Sequence, residues 1–228
     1  MQITYYFRTS ILVLACILPA FTPALASGAS TVPDSLLTEK YIRSIYISAP
    51  DSALHLLDEA EKRRLPSMPA FHIDILRSMV YESQAMYVLK ERCLRRALQS
   101  DSVRLVPARR LRLLSQLSST LDRLNRYEEG ISISTEAISL AQELKQRSAE
   151  SELLFTIGRI YQGMKNPDQA LEYMLRSINL LKGSDNVREL ALLSTFYGDL
   201  SSFYEDRKQN DDAISTSEAR ADVIRRMS

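Results

Sequence analysis

The residues with the greatest chemical reactivity are few and widely separated. The chain of 228 residues has two histidines, His55 and His72, and two cysteines, Cys16 and Cys93. A zinc site needs three or four such ligands at short, fixed spacings, and neither histidine belongs to a motif of that kind. The sequence therefore predicts no metal site and no cofactor.

Catalytic motifs are equally scarce. The sequence has no GxSxG nucleophile elbow and no glycine-rich phosphate loop. The acidic pairs at 128–129 and 211–212 have the residue types of a general acid and base. Both pairs fall at predicted helix N-termini, where carboxylates interact favourably with the helix dipole. We interpret them as capping residues, and we predict no enzymatic activity.

The composition favours a helical protein with a buried core. Glycine occurs 6 times and proline 8 times, whereas average usage predicts roughly 16 and 11. Hydrophobic residues make up 45% and charged residues 25% of the chain, and the formal net charge is +1. These values disfavour a turn-rich β-sandwich, a disordered chain and a protein that binds nucleic acid through overall positive charge.

The first 26 residues have the pattern of a secretory signal peptide. Arg8 precedes an apolar run over 11–21, and small residues at a cleavage site follow, the last of them Ala26. A retained membrane anchor is the alternative, but a span needs about 20 apolar residues and prolines interrupt this run. We expect residues 1–26 to be removed, 27–33 to form a linker, and the mature protein to be exported to the periplasm or cell envelope.

The two cysteines have different predicted fates. The segment that ends at Cys16 loosely resembles a lipoprotein box, which would make Cys16 a lipid-anchored first residue. More apolar sequence follows Cys16, so cleavage after Ala26 is favoured and lipidation stays the alternative. Cys93 is then the one cysteine of the mature chain, and we expect it to be buried on a helix.

Two segments share a pattern of large, small and aromatic residues. Alignment of 154–171 with 197–214 needs no gap, and 114–131 fits the same frame. The matched positions are Ile157 with Leu200, Gly158 with Ser201, Tyr161 with Tyr204, and Ala170 with Ala213. This pattern resembles the tetratricopeptide repeat (TPR), a helix hairpin that buries its apolar face by stacking on its neighbours.

The resemblance extends over 34–228, with repeats that start near residues 34, 71, 111, 151 and 194. It implies an all-α fold, a right-handed α-α superhelical solenoid of about five helix hairpins, with repeats elongated to about 40 residues. Residues 41–47 are rich in β-branched and aromatic side chains and could form an edge strand. Because no partner strand is predicted, we expect them to be helical.

The resemblance also implies that the first helices of successive hairpins line a concave surface that binds a partner. The residues expected to point into it are Ile75, Met79, Glu82, Arg112, Ser115, Ser119, Asp122, Glu152, Phe155, Arg159, Gln162, Ser202 and Glu205. We expect Phe155 and Met79 to be apolar anchors and Arg159 to pair with a ligand carboxylate. The paired Lys and Asn of the repeats that bind chaperone C-termini are missing, so that activity is not predicted.

One segment concentrates positive charge in a nearly neutral chain. Between residues 90 and 112 eight basic side chains face two acids, Glu91 and Asp101, an excess of +6. The basic segment comprises Lys90, Arg92, Arg95, Arg96, Arg104, Arg109 and Arg110, with Arg112 at its end. One interpretation is a docking patch for an acidic partner, or for phospholipid if Cys16 is lipidated. The other is a solvated helix face.

The sequence thus predicts an exported helical-repeat scaffold that mediates protein–protein or protein–peptide interaction through its concave surface. The alternative is the extracytoplasmic sensor array of a longer signalling or transcription-regulating protein. A membrane span encoded directly downstream would distinguish the two. The last predicted helix, 211–228, has an outer face polar enough to end the array.

Overall fold

The computed structural model describes residues 32–227. The predicted signal peptide, Cys16 and most of the predicted linker lie outside the described residues. Within 32–227 the secondary structure is helical throughout, with no strand. After a 3-10 turn at Asp34–Leu36 the helices are α1 Glu39–Ile45, α2 Pro50–Arg63, α3 Ala70–Ser83, α4 Tyr87–Gln99, α5 Asp101–Arg104, α6 Pro107–Arg123, α7 Tyr127–Glu143, α8 Arg147–Gly163, α9 Pro167–Leu181, α10 Val187–Asp206 and α11 Asn210–Arg226.

Ten of these helices form five hairpins, α1/α2, α3/α4, α6/α7, α8/α9 and α10/α11, with the single turn α5 between the second and third. Each hairpin packs on the next, and α8 contacts both α6 and α10. The predicted all-α solenoid is confirmed. Residues 41–45, the part of the ambiguous segment within α1, are helical as expected.

The helices begin where the sequence supplies suitable first residues. Pro50, Pro107 and Pro167 each occupy the first position of a helix, where the missing N–H costs no hydrogen bond. The acidic pairs at 128–129 and 211–212 lie in the first turns of α7 and α11, as predicted.

Five connections are three-residue turns, at 84–86, 124–126, 144–146, 164–166 and 207–209. The middle residues have left-handed backbones with φ between 53° and 60°, and they are Ala85, Asn125, Lys145, Lys165 and Lys208. In every turn the third residue donates its N–H to a carbonyl five residues earlier, which closes the end of the preceding helix. One of these turns, 144–146, joins two hairpins, so α6 to α9 are connected uniformly.

Apolar clusters cross the boundaries between hairpins. One unites α8 to α11 around Met174, Leu193 and Leu200, and another unites α1 to α3 around Leu57 and Leu76. Further clusters join α3, α4 and α6, and α6 to α8. Full burial of a Leu or Met side chain contributes roughly 1.5–3 kcal/mol. Each hairpin is therefore stabilised by burial against its neighbours.

Small residues lie where the two helices of a hairpin approach. A Cβ atom at Gly158 would come within 2.8 Å of Met174 Cγ and 3.0 Å of the Ala170 carbonyl oxygen. At the equivalent position of the last hairpin, Ser201 Oγ lies 2.8 Å from Ser217 Oγ. Gly158 therefore lies where the two helices of its hairpin approach each other closely.

Candidate functional site

A groove crosses the first helices of the last three hairpins. It has a volume of about 950 Å³ and is formed by α6, the turn 144–146, α8 and the start of α10. We call it the first-helix groove. Its charged and amide side chains are Arg112, Gln116, Lys145, Gln146, Arg147, Glu152, Arg188 and Glu189. Polar side chains therefore line this groove, while the apolar stripes of the same helices pack in the core.

One ion pair neutralises two of these charges. Arg147 donates to one carboxylate oxygen of Glu189 over 2.6 Å, and the Ser148 hydroxyl donates to the other over 3.0 Å. The hydrogen bond from Arg147 is the main cause that lowers the pKa of Glu189 below its ordinary value. Glu189 and Arg147 thus hold α10 against the start of α8.

The other charged groups of the groove have no such partners. Arg112, Lys145 and Arg188 are exposed and make no ion pair with another residue of 32–227. Glu152 is also exposed and lacks an ion-pair partner in that part of the chain, and partial desolvation by neighbouring protein atoms raises the pKa of its carboxyl. The side-chain oxygen of Gln116 is buried without a hydrogen-bond partner. The groove therefore contains three unpaired cations, one unpaired acid and one unpaired acceptor.

The residues predicted to share one binding surface are divided among several places. Arg112, Ser115 and Glu152 line the first-helix groove, where the Ser115 hydroxyl donates to the Leu111 carbonyl over 3.0 Å. Arg159 and Asp122 do not line it. Arg159 Nη2 donates instead to Asp122 Oδ2 over 2.7 Å. The expectation that Arg159 awaits a ligand carboxylate was wrong, because its carboxylate partner is intramolecular.

The two predicted apolar anchors are packed within the protein. Phe155 is only 3% exposed and stacks on Phe196 with ring centroids 4.2 Å apart. The prediction that Phe155 is an exposed anchor was wrong, because the approach of α8 to α10 buries its side chain. Met79 is half-buried against the first hairpin, and Arg43 Nη1 lies 3.0 Å from its sulfur. Ile75, also expected in the lining, is buried in the core.

The remaining predicted lining residues lie outside the groove. Glu82 is exposed and pairs with Lys90 over 2.7 Å. Gln162 lines a smaller cleft with Phe203 and Arg207, and Glu205 lines another cleft formed mainly by α11. Ser119 is half-buried and its hydroxyl donates to the Gln116 carbonyl over 3.0 Å, and Ser202 is exposed. The single continuous binding surface expected from the repeat frame is thus reduced to the first-helix groove.

Acids from other helices neutralise much of the basic segment. Lys90 has a side chain only 3% exposed and lies against Glu82. The prediction that Lys90 belongs to an open basic patch was therefore wrong. The remaining pairs join Arg95 to Glu91 and Glu129, Arg96 to Asp74, Arg104 to Asp101, and Arg110 to Glu136. Most of these acids lie outside residues 90–112, so a count along the sequence overstates the local excess.

Two members of the basic segment have other environments. The Arg109 guanidinium lies 5.1 Å from the centre of the Phe71 ring and donates to the Ser102 carbonyl. Arg92 is exposed and has no ion-pair partner within 32–227. A docking patch for an acidic partner at this segment stays a prediction, with Arg92 as an exposed cation that has no ion-pair partner within 32–227.

No metal or thiol chemistry is supported by the described residues. No three His, Cys, Asp or Glu side chains within 32–227 are grouped so that they could hold a metal ion. Cys93 is buried, as predicted, and burial raises the pKa of its thiol. None of the helices in that part of the chain is long and apolar enough to cross a membrane.

Sequence reasoning missed Gln116, Lys145, Arg147, Arg188 and Glu189 as groove residues. The repeat frame started at 151 and 194, whereas α8 begins at Arg147 and α10 at Val187. The extra turn at the start of each first helix supplies most of the missed residues. Elongation of the repeats beyond the usual unit, visible in the 40-residue spacing, was the signal that pointed to these turns.

A tetratricopeptide repeat family model matches residues 109–183. That segment corresponds to α6 to α9, the helices joined by uniform three-residue turns. No curated protein was found to match the sequence. The repeat resemblance of the third and fourth hairpins is therefore confirmed.

Solved structures share the fold over most of the chain. The apo form of RapI matches with a TM-score of 0.69 and 13% identity, over 83% of this chain and 69% of that one. A Rap protein complexed with competence and sporulation factor matches with a TM-score of 0.68 and 12% identity, over 87% of this chain but only 57% of that one. TPR-like repeats of a Podosopora anserina kinesin light chain match with a TM-score of 0.61 and 14% identity, over 83% of this chain and 93% of that one. Identities this low show the fold alone.

Proposed function

We propose that this TPR-like helical solenoid is an exported binding scaffold that holds a segment of a protein or peptide partner in its first-helix groove. The observation that carries the proposal is the groove itself, about 950 Å³ in volume and lined by unpaired charges from α6, α8 and α10. Its function is recognition, and its chemistry is that of ion pairs and hydrogen bonds.

The division of side chains between core and groove supports this function. The apolar side chains of the first helices are used in packing, as Phe155 is against Phe196. Exposed charges that stabilise no neighbour, such as Arg112 and Arg188, contribute little to folding. A bound segment would give them partners, and repeat solenoids bind extended ligands along such surfaces.

The comparisons support a binding role at the level of the fold. One of the structural neighbours is a Rap protein solved in complex with competence and sporulation factor. This chain spans just over half of that protein, so the likeness supports a ligand-binding solenoid and carries over no particular ligand.

A photo-cross-linking experiment tests the groove. The photoreactive amino acid p-benzoylphenylalanine replaces Ser115, which lines the groove, in the full chain expressed in the source organism. The matched control replaces Ser132, an exposed serine on the second helix α7. We expect a discrete cross-linked partner from position 115 and none from position 132. Equal products from both positions, or none from 115, would contradict binding in the groove.

Export is tested independently. The proposal requires a mature N-terminus at Ser27, as predicted from the cleavage site after Ala26. Mass spectrometry of the protein from cell-envelope fractions measures that terminus, and a Cys16→Ala variant separates the lipoprotein alternative. A mature chain that begins at a lipid-modified Cys16 would contradict cleavage after Ala26 and support the lipoprotein alternative. A cytoplasmic protein that still begins at Met1 would overturn export.

A further inference from the structure

We propose that the first-helix groove selects an acidic segment of its partner, held by Arg112 and Arg188, with Glu152 as an opposing charge that sets how acidic the segment must be. This inference rests on the proposed function, because it names the chemistry of the segment that the groove binds. Nothing in the repeat pattern alone distinguishes an acidic ligand from a neutral or basic one.

The charge balance of the groove carries the proposal. Its lining contains four cations, Arg112, Lys145, Arg147 and Arg188, and two acids, Glu152 and Glu189. One cation and one acid pair with each other, since Arg147 binds Glu189 over 2.6 Å. Three cations and a single acid remain without partners. A ligand with carboxylates supplies the missing negative charge, whereas a basic ligand would meet three like charges.

The positions of the cations suit a ligand that lies across the helices. Arg112 is on α6, Lys145 is in the turn before α8, and Arg188 is in the first turn of α10. All three line one groove and all three are exposed. Guanidinium groups form paired hydrogen bonds with carboxylates, so Arg112 and Arg188 are the expected contacts and Lys145 adds a mobile charge.

Glu152 has the opposite effect on such a ligand. It lies between α6 and α10 in the same groove, and its carboxyl makes no ion pair among the described residues. A ligand carboxylate placed nearby would repel an ionised Glu152 and favour its protonated form. The protonated carboxyl can donate a hydrogen bond to the ligand.

Proton uptake by Glu152 makes the affinity depend on pH. Partial desolvation by neighbouring protein atoms already raises the pKa of this carboxyl, and a bound anion would raise it further. The titratable or charged groups that line the groove with it are Arg112 from α6, Lys145 from the turn, Arg147 from α8, and Arg188 and Glu189 from α10. The pKa of Glu189 is lowered, mainly by the hydrogen bond from Arg147. Affinity for a permanently anionic ligand should therefore weaken as the pH rises through the pKa of Glu152.

The test uses fluorescent synthetic peptides and the full chain. One peptide alternates glutamate with glycine, and matched peptides carry glutamine or lysine in place of every glutamate. A fourth peptide carries cysteic acid at those positions, so its own charge stays constant through the pH series. Fluorescence anisotropy measures each dissociation constant, and we expect the acidic peptides to bind roughly tenfold or more tightly than the glutamine peptide.

Three variants assign that preference to the groove. The double substitution Arg112→Gln with Arg188→Gln should weaken binding of the acidic peptides by roughly tenfold. Its matched control, Lys40→Gln with Lys182→Gln, removes the same charge from exposed residues outside the groove and outside the basic segment and should change the dissociation constant less than about twofold. Glu152→Gln should tighten binding by roughly fivefold and remove the pH dependence seen with the cysteic acid peptide.

The outcomes separate this inference from the proposed function. Equal binding of the acidic and glutamine peptides, or preference for the lysine peptide, would overturn acidic selection while specific cross-linking from position 115 would still support a binding groove. Acidic preference that survives the Arg112 and Arg188 substitutions unchanged would also overturn the inference, because the acid would then bind elsewhere. Loss of both the acidic preference and the position-specific cross-link would overturn the inference and the proposed function together.

Discussion

Arg159 and Asp122 form an ion pair between neighbouring hairpins, with Nη2 of Arg159 on α8 2.7 Å from Oδ2 of Asp122 on α6. The Asp122 side chain is only 10% exposed. Burial raises the pKa of Asp122, and the positive charge of Arg159 opposes that effect. The two residues had been expected to meet a ligand, but their contact instead stabilises the packing of one repeat on the next.

Removal of Arg159 should therefore destabilise the protein. Arg159→Ala leaves the Asp122 carboxylate buried without its cation, and we expect the free energy of unfolding to fall by about 1–3 kcal/mol. Urea unfolding followed by circular dichroism measures the change. The matched control is Arg176→Ala, whose exposed arginine has a 3.6 Å pair with Glu172 and lies 5.0 Å from the centre of the Tyr173 ring; its loss should cost less than about 1 kcal/mol.

The loss caused by Arg159→Ala should also shrink at acid pH. The folded-state pKa of Asp122 is raised, so the folded state binds its proton more readily than the unfolded state does. Below that pKa the neutral carboxyl needs no cation. A destabilisation that stays constant down to acid pH, or that is also seen in the Asp122→Asn background, would contradict an effect through Asp122.

Phe155 should behave as a core residue rather than as a ligand contact. Phe155→Ala removes the stack on Phe196 and leaves a cavity between α8 and α10, which should lower the free energy of unfolding by about 3–5 kcal/mol. Urea unfolding measures this change, and the exposed Tyr41 provides the control, since Tyr41→Ala should cost less than about 1 kcal/mol. Similar costs for the two substitutions would contradict the buried position of Phe155.

The sequence predicted the helical hairpins but not the contacts between them. The positions of Gly158, Ser201 and the helix-starting prolines depend on local backbone and size rules, which are readable along the chain. The Arg159 pair with Asp122 spans 37 residues and depends on how α8 lies against α6. Phe155 occupies a position that the repeat frame exposes, and the approach of α10 buries it. The groove residues were missed where α8 begins about one turn, and α10 about two turns, earlier than the repeat frame allowed.

Two glycines in first helices should respond to alanine in opposite ways. At Gly158 the new Cβ would lie 3.0 Å from the Ala170 carbonyl oxygen and 3.1 Å from the Met174 backbone nitrogen, neither of which can move freely. At Gly198 the nearest atoms belong to the flexible Arg220 guanidinium. Gly158→Ala should therefore destabilise by about 1–3 kcal/mol, while Gly198→Ala should stabilise by up to about 1 kcal/mol through helix propensity.

Thermal and urea unfolding of the two variants measure this difference, and each variant is the control for the other. Destabilisation of similar size by both substitutions would contradict the predicted difference in crowding between Gly158 and Gly198. Stabilisation by both would contradict the close helix approach at Gly158.

The turn between α3 and α4 should be stabilised by glycine. Ala85 has a left-handed backbone with φ of 56°, a conformation in which its Cβ is strained. Ala85→Gly removes that strain, and we expect the free energy of unfolding to rise by about 0.5–1 kcal/mol. Urea unfolding measures it, with Ala191→Gly in the exposed interior of α10 as a control that should lose about 1 kcal/mol. A loss at both sites would contradict the left-handed turn.

The ion pair of Glu189 with Arg147 predicts a stability that depends on acid pH. The hydrogen bond from Arg147 lowers the folded-state pKa of Glu189 below its ordinary value of 4.5, with Ser184 and Ser148 contributing. The folded state therefore binds this proton less readily than the unfolded state, and stability falls as the pH drops through that lowered pKa. Glu189→Gln abolishes the titration. The difference in free energy of unfolding between the wild type and Glu189→Gln, measured by urea titration, should be largest near neutral pH and should shrink below pH 4.5.

The control is Glu172→Gln, which removes the acid of an exposed pair on α9. Its difference in free energy of unfolding should change little across the same pH range. A constant difference for Glu189→Gln would contradict the prediction, because it would show that the carboxylate of Glu189 adds no pH-dependent stability.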